Sequence, residues 1–344
     1  MATFEPKITR IESAPSVQSK IKAGRELAKQ GKLDEASVEL EGAVKLDPNS
    51  KIAHLALGTL RVRQENPDDA LREFKEVLRI DPMNMRAHLR AARVLISKKD
   101  LNKAEKYVES ALRIDPKSPV AHLFLGHIYL SRQDLPKAKE HLLRTLALNP
   151  RLVRARVQMA AMFRSEGNIS EAIAQLNAAI RIEPDSADAY ESLGRLQLLQ
   201  KDFSGAREAF EKALTLRPED TAARLGMAEA LIESGDLERA EETLRKLSSR
   251  TEGRASLHKL WGDLYEHRGL YPEAVEEYRA AQLIAGQDAD ASTMPEPFSP
   301  SAIDDSEAWK QLAASLKEKT DAYRDERRSQ SAPSPGEIDD ESGT

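Results

Sequence analysis

Histidine has the most regular spacing of the residues in this chain that bind metals or transfer protons. His54, His88 and His122 are 34 residues apart, and His258 lies four more such steps along the same series. Imidazole is a common zinc ligand and also an acid or base near neutral pH. The spacing therefore allows two interpretations, a row of metal ligands or a row of rings packed between repeated elements.

Distances favour packed rings over metal ligands. Helices packed side by side lie about 8–10 Å apart, whereas one zinc ion needs its nitrogen ligands within about 2.1 Å. The chain has no cysteine, which excludes disulfides and thiolate metal sites. It also has no glycine-rich phosphate loop, no nucleophile–base pair and no paired-histidine zinc motif. We therefore predict that the protein is not an enzyme and uses no cofactor.

The same 34-residue step organises the rest of the chain. Alanines recur from Ala36 to Ala274, and a second series of glycine or alanine runs from Gly24 to Gly262. The prolines of a third series are Pro48, Pro82, Pro116, Pro150, Pro184 and Pro218. Three series in one phase indicate a repeat protein, in which stacked units bury a continuous core.

Each repeat is predicted to form two helices joined by a turn. Apolar residues fall at helical spacing in two stretches, and the proline ends the second helix. Predicted caps of the first helices are Ser50, Asn84, Ser118, Ser186 and Asp220. Predicted caps of the second helices are Asp34, Asp68, Asn102, Ser170 and Ser204.

These residues resemble the tetratricopeptide repeat family. The eighth repeat, with Trp261-Gly262-Asp263-Leu264-Tyr265 and then Pro272-Glu273-Ala274, is very similar to the family pattern. The resemblance implies an all-α, right-handed solenoid of paired antiparallel helices, with eight repeats over residues 17–286. Glu252 and Gly286 replace the expected prolines, and Leu247 replaces a small residue. We therefore expect the junction between repeats seven and eight to be looser or differently angled.

The resemblance also implies that the first helix of each repeat lines a concave groove. In repeats one to five the groove positions contain no acidic residue, and their basic residues are Lys22, Arg25, Lys29, Arg63, Arg86, Arg90, Arg93, Arg154 and Arg164. Apolar residues, Phe124 among them, lie between these cations. Repeats six to eight are mainly acidic there, with Asp188, Glu191, Glu229, Glu233, Asp263 and Glu266.

This groove predicts a protein–protein interaction scaffold or adaptor that captures an acidic, partly apolar segment and supports complex assembly. The alternative is RNA binding along the basic groove, although stacking aromatic residues are scarce there. Some family members clamp a C-terminal carboxylate. Arg86 and Arg90 match that basic pair, but Arg25, Ala56 and Ile21 occupy the other clamp positions.

The ends of the chain differ in composition from the repeats. Residues 1–16 are predicted to be extended, 287–303 to be a Pro/Ser-rich linker, and 329–344 to be a disordered acidic tail. Residues 304–328 are predicted to form an amphipathic helix with Trp309, Leu312 and Leu316 on its apolar stripe. This helix either caps the solenoid or binds a partner, and the acidic tail is a candidate ligand of the chain's own groove.

The chain's 344 residues carry a net charge of −5, which is mild and says nothing about a polyanionic partner. The N-terminus has no apolar signal region, and no run of 18 apolar residues occurs. These features predict a cytoplasmic protein without a membrane span. The sequence leaves the oligomeric state open.

Overall fold

The computed structural model of the chain describes residues 16–247, 254–287, 314–315 and 318. These residues form sixteen long helices and no strand, as an all-α solenoid of helix pairs requires. The helices are α1 Val17–Lys29, α2 Leu33–Leu46, α3 Lys51–Arg63, α4 Pro67–Ile80, α5 Met85–Ser97, α6 Leu101–Ile114, α7 Pro119–Ser131, α8 Leu135–Leu148, α9 Val153–Ser165, α10 Ile169–Ile182, α11 Ala187–Leu199, α12 Phe203–Leu216, α13 Thr221–Glu233, α14 Leu237–Arg245, α15 Arg254–His267 and α16 Tyr271–Gln287.

The chain divides into two compact units, Met1–Asn168 and Ile169–Thr344, called here the N-terminal and C-terminal units. In the N-terminal unit α1 packs on α2, α3 on α4, α5 on α6 and α7 on α8, and each pair also contacts the next helix. The C-terminal unit repeats this arrangement with α11 on α12, α13 on α14 and α15 on α16. Sixteen helices fit about eight repeats, as the 34-residue step predicts.

In the five repeats that have glycine at the small position of the first helix, this glycine faces a large side chain of the second helix. A Cβ added to Gly58 would lie 2.6 Å from Cε1 of Phe74, and one added to Gly126 would lie 2.7 Å from Cδ2 of Leu142. Both large side chains are fully buried. Larger residues at these glycines would therefore force the paired helices apart.

The turn between the two helices contains one residue with left-handed backbone geometry. Glycine takes this position in four repeats, with φ values of 72–82° at Gly31, Gly167, Gly235 and Gly269. The other four repeats place Glu65, Lys99, Gln133 and Lys201 there, with φ between 56 and 60°. Non-glycine residues pay a modest steric penalty in this region, so glycine is favoured but not required.

The caps of the first helices are as predicted, with one exception. The side chains of Ser50, Asn84, Ser118 and Asp220 each accept a hydrogen bond from the backbone N–H three residues on. Ser186 makes no such capping bond.

The predicted caps of the second helices are wrong by two residues. Where a side chain caps a second helix, it is Asn66, Asp100, Asp134 or Asp202, directly after the left-handed residue. Asp34, Asp68 and Asn102 lie inside the first helical turn. The left-handed residue fixes where helical geometry resumes, and the next side chain is then the one positioned to accept from the free N–H groups.

Three of the periodic histidines, His54, His88 and His122, contact the proline that precedes their helix. Nε2 of His54, His88 and His122 lies 3.0, 2.9 and 3.2 Å from the carbonyl oxygen of the proline six residues earlier. Arg156 and Arg224, at the same repeat position, donate to Pro150 and Pro218 in the same way. These histidines and arginines all donate a hydrogen bond to a proline carbonyl that has no partner within a helix, because the chain bends at the proline.

Helix α14 differs from the other second helices. It has 9 residues, whereas α2, α4, α6, α8, α10 and α12 each have 14. Leu247, which replaces a small residue of the pattern, is buried in the core formed by α13, α14 and α15. Whether the junction of repeats seven and eight is looser stays a prediction, because residues 248–253 lie outside the described residues.

Candidate functional site

The structure brings five of the nine predicted groove cations into one cleft of the N-terminal unit. The cleft has a volume of about 380 Å³ and lies between α1, α3 and α5. Its cationic walls are Arg25, Lys29, Arg63, Arg86 and Arg90. Its remaining lining is Ala28, Leu40, Leu55, Ala56, Thr59 and Leu60. The cleft therefore joins an apolar floor to a strongly cationic wall.

Two of these arginines are held in place by neutral acceptors. Nη1 of Arg63 donates to the backbone oxygen of Ala28 at 2.6 Å, and Nη1 of Arg90 donates to Oγ1 of Thr59 at 2.8 Å. Neutral acceptors orient a guanidinium but leave its charge uncompensated. Burial, followed by the positive charges of Arg93, Arg86 and Arg25, lowers the pKa of Arg90 from its usual value.

We call the nine predicted groove cations the basic surface. Carboxylates are almost absent from their surroundings. Lys29 lies 3.4 Å from Glu26 in its own helix, and this is the one carboxylate within 4 Å of any of the nine among the described residues. Many other cations of the same unit form ion pairs, including Lys20, Lys51, Arg61, Arg79, Lys98, Lys103, Arg132 and Lys137. Eight of the nine cations of the basic surface thus have no carboxylate within 4 Å among the described residues.

The other basic residues lie outside the cleft. Lys22, Arg93, Arg154 and Arg164 are exposed on α1, α5 and α9. Phe124, on α7, is half-buried and packs against the core formed by α5, α6 and α7. On the same helix Val120 is 40% exposed, so it offers apolar area to a ligand. The predicted surface therefore consists of a cationic cleft, an apolar stretch on α7 and separate exposed arginines.

Sequence reasoning missed a polar pair on α7 and α9. Nε2 of Gln158 donates to Nδ1 of His127 at 3.4 Å, and Oε1 of Gln158 is buried without a hydrogen-bond partner among the described residues. Burial, and then the charge of Arg154, lowers the pKa of His127. Both residues occupy groove positions of their repeats, but the charge pattern of those positions does not include them.

The lowered pKa of His127 predicts a pH-dependent stability. As pH falls through about 6.5, the unfolded chain takes up a proton that the folded chain binds more weakly, so the free energy of unfolding decreases. His141, whose pKa burial also lowers, contributes in the same direction. Urea unfolding at about pH 7.5 and 5.5 should show a smaller decrease for His127→Gln than for the unchanged chain. Equal decreases in both proteins would contradict this expectation.

Three of the six acidic groove residues predicted for the C-terminal unit are paired with cations. Asp188 pairs with Arg217, Glu191 pairs with Arg195, and Asp263 lies 2.6 Å from Lys259. The hydroxyl of Tyr278 lies 2.8 Å from Asp263 and 3.0 Å from Glu266. Glu233 is exposed, and burial raises the pKa of Glu229. The two units therefore differ in how much charge remains for a ligand.

The periodic histidines do not converge on a common point. His54 and His258 each place Nδ1 2.6 Å from a glutamate of the same repeat, Glu73 and Glu277. Nδ1 of His122 lies 3.1 Å from Nδ1 of His141. Within the part of the chain that the structure describes, no three or more histidine, aspartate or glutamate side chains are arranged to hold a metal ion.

The predicted C-terminal helix contacts and the acidic tail fall outside the described residues. Trp309, Leu312 and Leu316, the predicted contact residues of the C-terminal helix, lie outside them, as does the acidic tail. Among the helices that are described, none is both long and apolar enough to cross a membrane.

Three family models of the tetratricopeptide repeat match this chain. One matches residues 95–162 and 197–264, another residues 55–119 and 163–221, and the third residues 24–65. The matched segments together run without a gap from residue 24 to 264. No curated protein matches the chain.

Solved structures with the same fold include a tetratricopeptide repeat protein from Parabacteroides merdae. It is 21% identical with a TM-score of 0.60, over 73% of this chain and 99% of that one. The pilF protein of Pseudomonas aeruginosa is 22% identical with a TM-score of 0.50, over 62% and 97%. A chain of the Cut9–Hcn1 hetero-tetramer of the APC/C is 16% identical with a TM-score of 0.55, over 63% of this chain but 43% of that longer one. These similarities establish the shared fold.

Proposed function

Because the chain belongs to the tetratricopeptide repeat family, we propose that it is a scaffold whose basic surface captures an acidic, partly apolar segment of a partner protein. The observation that carries this proposal is the shortage of carboxylates around nine cations, in a chain whose net charge is −5. Members of the family are generally non-enzymatic. Assembly of a larger complex and a cytoplasmic location are parts of the same proposal.

The cleft supports the acidic component of the ligand. Arginine presents five N–H donors in a planar fork that matches a carboxylate, and charge-assisted bonds of this kind are stronger than neutral ones. Five cations on one concave wall also raise the local potential, which speeds the capture of an anionic segment. Arg63 and Arg90 are already oriented by Ala28 and Thr59, so less side-chain freedom is lost on binding.

The apolar lining supports the second component of the ligand. Leu55, half-buried in the cleft lining, and Val120, 40% exposed on α7, present apolar area to a ligand, whereas Leu40 and Leu60 of the same lining are almost fully buried. A segment with leucine, valine or phenylalanine between its acidic residues would cover this area, at about 25 cal/mol for each Å² removed from water. A purely acidic segment would leave this apolar area exposed to water, so we expect segments that combine acidic and apolar residues to bind more tightly.

Binding of labelled probes to the full chain tests the proposal. Fluorescence anisotropy should show tight binding of a short peptide of aspartate, glutamate and leucine, and weaker binding of a peptide in which serine replaces the leucines. A random single-stranded RNA oligomer is the competing ligand, and salt is varied between about 50 and 200 mM. Tighter binding of the RNA, with a steep loss of affinity over that range, would favour RNA binding and reject the scaffold proposal.

A further inference from the structure

The cleft of the N-terminal unit holds more positive charge than one carboxylate can balance. We infer that it recognises a phosphorylated serine or threonine in the captured segment, with Arg25, Arg63, Arg86 and Arg90 surrounding the phosphoryl group. The inference rests on the proposed function, because it assumes that the basic surface binds a protein segment. It adds the chemical class of the group that enters the cleft.

The arrangement of the donors is the first reason. The four arginines come from three stacked helices, α1, α3 and α5, and all of them line one cleft of about 380 Å³. Arg63 and Arg90 each commit one Nη1 to a neutral acceptor, which leaves their other N–H groups for a ligand. A phosphoryl group has three strong acceptor oxygens and can accept from several guanidinium groups at once, whereas a carboxylate has two.

The balance of charge is the second reason. Arg25, Arg63, Arg86 and Arg90 have no carboxylate within 4 Å among the described residues, and the Glu26 partner of Lys29 lies on an exposed face. The pKa of Arg90 is lowered by burial first and then by the positive charges of Arg93, Arg86 and Arg25. A phosphoryl group carries a charge of about −1.5 to −2 near neutral pH, which offsets this repulsion better than one carboxylate does.

The apolar floor is the third reason. Leu55, Ala56 and Leu60 line the cleft together with the arginines, and Thr59, also in the lining, accepts a hydrogen bond from Arg90. The short stem of phosphoserine or the methyl group of phosphothreonine can contact this floor while the oxygens meet the arginines. The exposed arginines Arg93, Arg154 and Arg164 lie outside this cleft, so they attract the rest of an acidic segment without forming a site for one dianion.

Three peptides with one leucine- and aspartate-containing framework test the inference on the full chain. Their central residue is serine, aspartate or phosphoserine, and isothermal titration calorimetry gives each affinity. We expect the phosphoserine peptide to bind about tenfold or more tightly than the aspartate peptide, and the serine peptide to bind most weakly. If phosphoserine binds no better than aspartate, the inference is wrong, while binding of the aspartate peptide would leave the proposed function standing.

Variants locate the phosphoryl group. The double variant Arg86→Gln and Arg90→Gln should remove the advantage of phosphoserine over aspartate. The matched control Arg72→Gln and Arg79→Gln lies on α4, where both arginines are exposed and paired with Asp69 and Glu76, and it should keep that advantage. A phosphoserine advantage that survives Arg86→Gln and Arg90→Gln, in a variant whose circular dichroism is unchanged, would place the phosphoryl group elsewhere and overturn the assignment.

Discussion

Replacing Arg86, Arg90 and Arg93 together by glutamate is expected to weaken binding of the acidic, leucine-containing peptide by about 100-fold or more. Arg86 and Arg90 line the cleft, and Arg93 is exposed on the same helix, α5. The three attractive interactions with the peptide become repulsive. The partly buried pairs that the arginines would form with the peptide's carboxylates are lost as well.

A matched charge reversal separates this local effect from the change in net charge. Arg72, Lys75 and Arg79 are exposed on α4, and replacing all three by glutamate changes the net charge of the chain by the same amount. Fluorescence anisotropy should show nearly unchanged affinity for this control. Similar losses in the two triple variants would mean that general electrostatic attraction, rather than the basic surface, holds the peptide. Circular dichroism checks that both variants are folded.

Replacing Phe210 by alanine is expected to lower the free energy of unfolding of the C-terminal unit by about 3–5 kcal/mol. The ring is fully buried and is enclosed by two helices of that unit. A Cβ added to Gly194 on α11 would lie 2.8 Å from the ring, and one added to Gly226 on α13 would overlap it. The cavity left by alanine borders Gly194 and Gly226, which have no side chain that could move in to fill it. Urea unfolding followed by circular dichroism measures the change.

The tight contact between Phe210 and Gly226 also predicts a coupling between substitutions. Gly226→Ala alone should destabilise the unit, because its methyl group meets the ring. In the Phe210→Ala background the same substitution should cost less or stabilise, since the methyl group then enters the cavity. Simple addition of the two free-energy changes would contradict this packing. Gly235→Ala provides no equivalent control, because its backbone has positive φ.

Much of the fold follows from local rules that the sequence displays. The 34-residue step, the small residue facing a large one, and the caps at Ser50, Asn84, Ser118 and Asp220 depend on contacts within one repeat or between adjacent segments. The second-helix caps were misplaced because their position depends on the left-handed residue. Half of those residues are glutamate, lysine or glutamine, which carry no sequence signal for positive φ.

The contacts of the histidines were predicted only in outline. Their period indicated a structural task between repeats, but the partner, a proline carbonyl six residues earlier, depends on where the chain bends. Gly226 is a similar case. It falls at a position where the family resemblance places a groove residue, and its contact with Phe210 is visible only when α12 and α13 are packed.

By itself, the sequence determined that this chain forms paired helices with a 34-residue period. It also determined that the first helices of the first five repeats are basic. Period and charge can be read from single elements. The tertiary structure decided which charges meet. It gathered Arg25, Lys29, Arg63, Arg86 and Arg90 around one cleft and placed Arg154 and Arg164 apart from it. In the C-terminal unit it paired Asp188, Glu191 and Asp263 with cations. Side-chain direction, burial and partners arise between helices, so a linear pattern does not contain them.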